Sequence, residues 1–110
     1  MAFDILFSSN HDSIMDLSQS NISNIIPGRF LNTLDIQCVF TGTPTGTFSV
    51  ETSDDKVNWD ELNIDSKEAI GSGDTHSFHI NVISAMFYRV VYNYVSGTGS
   101  CTVMPVGKVI

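Results

Sequence analysis

The chain has 110 residues, with 12 acidic and 5 basic side chains and a net charge of −7 at pH 7. So few cations cannot neutralise a run of phosphates, and we expect neither nucleic acid nor an anionic membrane surface as a partner. Hydrophobic residues make up 42% of the sequence, a share typical of a packed core. A chain of this length is expected to form one domain that buries about two-thirds of its unfolded surface.

No segment of the sequence has the character of a membrane span or a secretory signal. The apolar runs fall short of the roughly 20 residues of a transmembrane helix, and the N-terminus carries Asp4 where a signal would carry basic residues. We therefore expect synthesis and initial residence in a cytoplasm. There Cys38 and Cys101 are expected to be buried free thiols, with a disulfide as the alternative that the sequence does not decide.

The N-terminal third predicts two short strands. Residues 3–7 (FDILF) alternate, which places Phe3 and Phe7 on one face, and residues 13–17 (SIMDL) predict an edge strand. The Ser- and Asn-rich stretch that follows favours turns. The first thirty residues (1–30) therefore either complete the domain or form an extended segment that contacts a neighbouring subunit.

The most regular pattern runs from Leu31 to Ser53, where two alternating apolar runs predict two half-buried strands. Gly42, Pro44 and Gly46 lie between the runs and supply turn chemistry, so this stretch predicts a hairpin. The side chains expected to face the core are Leu34, Ile36, Cys38, Phe40, Phe48 and Val50.

Two later features predict further parts of the core. Trp59 is the only tryptophan and is expected to cap or fill the core, with ligand stacking as the alternative. Residues 77–82 alternate again and predict a strand, with Phe78 and Ile80 on one side and His79 on the other.

The run most typical of a strand is 87–95 (FYRVVYNYV), which is dense in aromatic and β-branched residues. Both of its faces carry bulk, so we expect a central strand or one whose second face meets another subunit. In the last run, Pro105 cannot donate to a ladder, which predicts an edge or a bulge there. Seven or eight short strands with regular turns predict an all-β fold. We expect a single antiparallel β-sandwich or jelly-roll-like domain over 1–110.

The sequence contains no pattern typical of a catalytic or metal site. His76 and His79 fall on opposite faces of one strand, and the acids within 54–61 lack the arrangement of a calcium loop, so a solvated turn is expected. No serine lies in a G-x-S-x-G elbow, and the turn glycines precede no helix that could hold a phosphate. We therefore predict a protein that is not an enzyme and has no cofactor and no metal.

Three segments carry a resemblance to a known family: TGTPTGTFSVETSDDKVNWDEL (41–62), FYRVVYNYVSGTGS (87–100) and the pair Gly107-Lys108. Together they resemble a group of small β-sandwich structural proteins of tailed bacteriophages, which occur on virions as head- or tail-associated components. The resemblance covers residues 31–110 and, more weakly, the N-terminal third. Its positions are Gly42, Pro44, Gly46, Phe48, Val50, Ser53, Asp55, Asn58, Trp59, Leu62, Arg89, Val90, Gly97, Gly99 and Lys108.

The resemblance implies a virion protein that is made in the cytoplasm of the host bacterium. The leading hypothesis is a capsid decoration or accessory protein, a homo-oligomer that docks on a virion protein such as the major capsid protein or a tail protein. Exposed apolar side chains would mark its interface, and the candidates are Phe3, Phe7, Phe87 and Val91.

The alternative hypothesis is a carbohydrate-binding module that recognises a glycan on the host surface. Such a site needs an exposed aromatic platform flanked by polar side chains. The sequence offers Trp59, or the pair Tyr92 and Tyr94 with Asn93 beside it, as candidates for this platform.

Overall fold

The structure, a computed structural model, describes residues 4–7, 12–62, 67–70, 74–81 and 83–109, with the backbone alone for 4–7 and 67–70. All regular elements in these residues are strands, as predicted. The eleven strands are β1 (Asp4–Phe7), β2 (Ser13–Asp16), β3 (Asn21–Ile22), β4 (Ile26–Pro27), β5 (Thr33–Gly42), β6 (Thr45–Ser53), β7 (Asp60–Glu61), β8 (Lys67–Ile70), β9 (Asp74–Ile80), β10 (Phe87–Ser96) and β11 (Gly99–Val109).

The strands form two antiparallel sheets that pack face to face as a β-sandwich, which confirms the predicted fold class. The first sheet has the order β1-β11-β5-β9, with β2 also paired to β11. The second has the order β3-β10-β6-β7, with β4 also paired to β10 and β8 to β6. The strands outnumber the predicted seven or eight because short strands of two to four residues complete the sheet edges.

The core lies between the sheets and is filled by alternate side chains of the long strands, because successive residues of a strand point to opposite faces. Cys38 and Cys101 are both buried and free, as predicted. A hydrogen bond that the Cys38 thiol donates to Cys101, together with burial, raises the pKa of Cys38 far above its ordinary value. The side chains of this core that the alternation predicted are Leu34, Ile36, Cys38, Phe40, Phe48, Val50, Phe78, Ile80 and Cys101, and Tyr88, Val90, Tyr92 and Val103 also belong to it.

The predicted hairpin of residues 31–53 is wrong, because β5 and β6 belong to different sheets. The turn at Thr43 and Pro44 carries the chain across the sandwich from the first sheet to the second. The turn between β10 and β11 carries it back in the same way. Alternation and turn residues are the same for a hairpin and for a crossing of this kind, so the local sequence does not distinguish them.

Two predictions about the strand arrangement agree with the structure. Strand β10 is central, with β6 on one side and both β3 and β4 on the other. Strand β11 pairs with β2 over 100–103 and with β1 over 107–109, so among the described residues its edge is open around Pro105. Strands β1 to β4 all pair within the chain's own sheets, and contact of 1–30 with a neighbouring subunit stays a prediction.

Candidate functional site

Outward side chains of the second sheet, together with Lys56 and Trp59 from the turn after β6, form a surface that we call the outer face. Strand β10 is its centre, since inward Tyr88 and Val90 alternate there with outward Phe87, Arg89 and Val91. The ladder sets Arg89 opposite Glu51 on β6 and Val91 opposite Ile22 on β3. The outer face consists of Ile22, Glu51, Lys56, Trp59, Phe87, Arg89 and Val91.

At the centre of the outer face, the side chain of Arg89 is held by an acid and a ring. Its Nε donates to Glu51 Oε1 at 2.8 Å, and its Nη2 lies 2.7 Å from the same oxygen. The guanidinium carbon lies 4.0 Å from the centroid of the Trp59 ring, within the range of a cation–π contact. The ion pair and the stack fix the guanidinium in one place, with its charge compensated by Glu51.

The turn before Trp59 explains why this ring reaches the outer face. The carboxylate of Asp55 accepts hydrogen bonds from the amides of Val57 and Asn58, each at 2.8 Å, and from Asn58 Nδ2 at 2.7 Å. Ser53 Oγ donates to Asp55 at 3.0 Å and accepts from the amide of Lys56 at 2.9 Å. Asp55 is therefore the organising residue of the turn that ends beside Trp59.

The same hydrogen bonds change the ionisation of Asp55. The amides of Asn58 and Val57, followed by the side chains of Asn58 and Ser53, hold the pKa of the carboxyl well below its usual range. For the acids of residues 54–61, the alternative to a solvated turn was a calcium site. The carboxylate oxygens of Asp55 instead accept hydrogen bonds from the turn itself. Among the described residues no three His, Cys, Asp or Glu side chains are grouped so that they could hold a metal ion.

Apolar side chains extend the outer face to either side of Arg89. On one side Lys56 Nζ lies 4.7 Å above the centroid of the Phe87 ring. On the other, Val91 is half-buried beside Ile22, which is 49% exposed. Trp, Phe and Arg are residue types that carry much of the binding energy at protein interfaces. The surface is therefore suited to contact with a macromolecule.

The outer face brings some of the predicted interface residues together and not others. Phe87 and Val91 lie on it, both half-buried. Phe7 belongs to β1, which pairs with β11 in the first sheet, and Phe3 lies outside the described residues. Phe7 therefore lies on a strand of a different sheet from Phe87 and Val91. Trp59 joins Phe87 and Val91 instead, because the turn after β6 places it over Arg89.

Tyr92 and Tyr94 do not form the predicted aromatic platform as a pair, which leaves Trp59 as the candidate. The Tyr92 side chain is 0% exposed, and its ring lies 5.1 Å from that of Phe48 in the core, so it cannot present a face to a sugar. Tyr94 is 39% exposed near the end of β10. Trp59 itself is half-buried and outside the core cluster. The expectation that it fills the core is therefore wrong, since the turn lays it on the outside of the second sheet.

The first sheet carries a groove of about 450 Å³ that the sequence did not reveal. The carboxylate of Asp35 lies in it and accepts from Lys108 Nζ at 2.8 Å, with His79 Nδ1 also at 2.8 Å. Partial burial raises the pKa of Asp35, but the hydrogen bonds and charges of Lys108 and His79 outweigh it and lower the pKa. These residues come from three strands far apart in sequence, so no local motif signals them.

No family model matches the chain, and no curated protein sequence matches it. The described residues contain no helix that is long and apolar enough to cross a membrane.

Proposed function

We propose that this chain is a non-enzymatic bacteriophage virion structural protein, a capsid decoration or accessory protein that assembles with itself and docks on another virion protein. The observation that carries the proposal is the outer face, where Trp59 and Phe87 flank the ion pair of Arg89 and Glu51. The resemblance to small phage sandwich proteins supports a location on the virion, and the outer face offers a surface for attachment to it.

The outer face can be covered by a partner at low electrostatic cost. Burying a lone charge is expensive, whereas a charge that keeps a well-placed partner avoids most of that penalty. Arg89 and Glu51 already satisfy each other, and their side chains are only 19% and 25% exposed. A partner would therefore gain the apolar area of Trp59 and Phe87 without leaving an unpaired charge beneath it.

The non-enzymatic part of the proposal is supported by how the acids on both sheets are used. Asp55 holds a turn, Glu51 holds Arg89, and Asp35 holds Lys108. Each carboxylate is committed to a positively charged or hydrogen-bond-donating partner of the chain itself. Such commitments are typical of structural acids, whereas a general acid or base needs a raised pKa near the working pH.

Mass spectrometry of purified particles of the phage that encodes the chain tests the proposal. We expect its peptides at many copies per particle, enriched over abundant non-structural proteins of the same lysate, which serve as the contamination control. Recombinant protein added to particles that lack it should bind again. Absence of the chain from the particles, or a level equal to the contaminants, would contradict the proposal.

One observation supports the alternative function, that of a carbohydrate-binding module. The half-exposed ring of Trp59 lies beside the polar groups of Arg89 and Glu51, and sugar sites combine an aromatic ring with flanking hydrogen-bonding groups. A glycan array with the wild type and Trp59→Ala separates the two functions. Binding to a defined glycan that disappears in Trp59→Ala would favour the module over the docking protein.

A further inference from the structure

A tight turn between β4 and β5 holds an aromatic side chain out in solvent. The amide of Leu31 donates to the carbonyl of Gly28 at 3.2 Å and closes the turn. Gly28 and Leu31 are both buried, so the two ends of the turn are fixed to the body of the protein. Arg29 and Phe30 form its tip, and Phe30 is 76% exposed.

The backbone of Phe30 has a conformation that an aromatic residue disfavours. Its φ is 69°, in the left-handed region that glycine and asparagine enter readily and bulky residues do not. The exposed ring gains little packing energy in the isolated chain that would offset this strain. Strained residues cluster at binding sites, where the surrounding structure holds them in place. The position of Phe30 therefore points to a contact outside the chain.

An open cleft of about 420 Å³ lies beside Phe30. The segment 83–86 lines it and is held in place at Met86, whose carbonyl accepts from the amide of Gly28 at 2.8 Å. The amide of Met86 donates to Oδ1 of Asp54, which also lines the cleft, at 3.0 Å. The apolar side chains of the lining are Phe30, Leu31, Ile83, Ala85 and Met86. A preformed cleft with this lining suits an apolar side chain of a ligand.

The cation that lines the cleft, Arg29, has no carboxylate partner among the described residues. Arg89 and Lys108, by contrast, are each paired with an acid of the chain. The guanidinium carbon of Arg29 lies 4.6 Å from the centroid of the Phe30 ring. A guanidinium that stacks on a ring keeps its N–H groups free to donate two hydrogen bonds to a carboxylate. The charge and the cleft together therefore complement a carboxylate beside an apolar group.

We propose that the turn of residues 28–31 and this cleft bind a protein segment that carries a carboxylate next to an apolar side chain. Arg29 donates to the carboxylate, and the apolar side chain enters the cleft against the Phe30 ring. None of these residues belongs to the outer face. The inference therefore goes beyond the proposed function and does not depend on it.

An NMR titration of the full chain with a blocked peptide, acetyl-Gly-Glu-Phe-Glu-Gly-amide, tests the inference. We expect saturable shifts of the amide signals of Phe30, Ala85 and Met86. Peptides with Gln or Lys in place of both Glu residues should bind at least about tenfold more weakly, because the carboxylate for Arg29 is gone. A peptide with Gly in place of Phe should also bind more weakly. Tighter binding of the Lys peptide would assign recognition to Asp54 and overturn the inference.

Variants of the turn separate binding from folding. Arg29→Gln and Phe30→Asn should each weaken binding of the peptide at least about tenfold. Phe30→Asn should unfold at the same denaturant concentration as the wild type or a higher one, because asparagine tolerates a positive φ. Phe30→Tyr keeps the ring and is the matched control, which should bind like the wild type.

The remaining outcomes separate this inference from attachment through the outer face. Trp59→Ala should bind the peptide like the wild type, and loss of binding in that variant would place the peptide on the outer face instead. Absence of shifts at the cleft, or binding that survives in both Arg29→Gln and Phe30→Asn, overturns the inference. A clear loss of stability in Phe30→Asn also overturns it, because the ring would then serve the fold. Presence of the chain on particles is measured independently of all these results.

Discussion

The amide of Thr43 donates a 2.8 Å hydrogen bond to the carbonyl of Thr98. This bond joins the two turns that carry the chain between the sheets, at one end of the sandwich. In the same place Gly99 pairs with Gly42 across the ladder of β11 and β5. The two Thr-Gly turns, similar in sequence and far apart along the chain, therefore close this end of the fold as one unit.

Gly97→Ala should destabilise the protein through this junction. Gly97 has φ near 85°, a conformation that side chains disfavour, and a Cβ there would collide with the carbonyl oxygen of Thr43. We expect the free energy of unfolding to fall by at least about 1 kcal/mol, measured by denaturant unfolding. Ser100→Ala, at an exposed position of the same region, is the control. Equal stability of the two variants would show that the junction tolerates a side chain.

Tyr92→Phe and Tyr88→Phe should change stability in opposite directions. Both tyrosines are 0% exposed on the inner face of β10. The hydroxyl of Tyr92 has no hydrogen-bond partner among the described residues, whereas that of Tyr88 accepts from the amides of Ser84 and Ala85 at 3.2 and 3.3 Å. Removing a buried hydroxyl without a partner relieves a desolvation cost, whereas removing one with partners leaves donors unpaired.

We therefore expect Tyr92→Phe to be neutral or to stabilise by about 1 kcal/mol, and Tyr88→Phe to destabilise by about 1 kcal/mol. Thermal unfolding of the two variants beside the wild type measures both effects, and each variant is the control for the other. A marked loss of stability in Tyr92→Phe would mean that its hydroxyl is bonded in solution.

Asp55 should make stability depend on pH in the acid range. Its pKa in the folded state is held below the ordinary value by the amides of Asn58 and Val57. An acid with a lowered folded pKa contributes stability above its unfolded pKa of about 3.9, and this contribution is lost as the pH falls towards the folded value. Thermal unfolding of the wild type between neutral pH and pH 3 should show a decline below about pH 4.

Asp55→Asn should reduce that decline and lower stability at neutral pH, because the carboxylate that accepts the amides of the turn is lost. Asp60→Asn, an exposed acid just beyond the turn, is the matched control and should keep the decline. An Asp55→Asn variant with the pH profile of the wild type would contradict the role of Asp55 in the turn.

Alternation along the strands predicted the fold class and the core, because inward and outward positions are a local property of a strand. Phe40, Phe48 and Phe78 are buried as the pattern indicates. Strand pairing was not predictable in the same way. The turn between β5 and β6 has the sequence of a hairpin, and only packing between distant strands decides that it crosses the sandwich, as the turn between β10 and β11 also does.

Only part of the candidate site could be predicted from the sequence. The outward positions of Phe87 and Val91 follow from alternation within β10. The position of Trp59 does not, because it depends on the hydrogen bonds that Asp55 makes within its turn and on Arg89, thirty residues further along the chain. The burial of Tyr92 was also not predicted, because both faces of β10 carry bulky side chains and composition alone does not say which face is inward.

Co-sedimentation with particles that lack the chain tests the outer face most directly. We predict that the wild type binds, and that Trp59→Ala and Arg89→Ala each weaken binding at least about tenfold, as expected for residues at the centre of an interface. Ile14→Ala removes a side chain that is 76% exposed on the first sheet and should bind like the wild type. Circular dichroism confirms that each variant is folded. Binding of Trp59→Ala and Arg89→Ala as tight as that of the wild type would contradict attachment through the outer face.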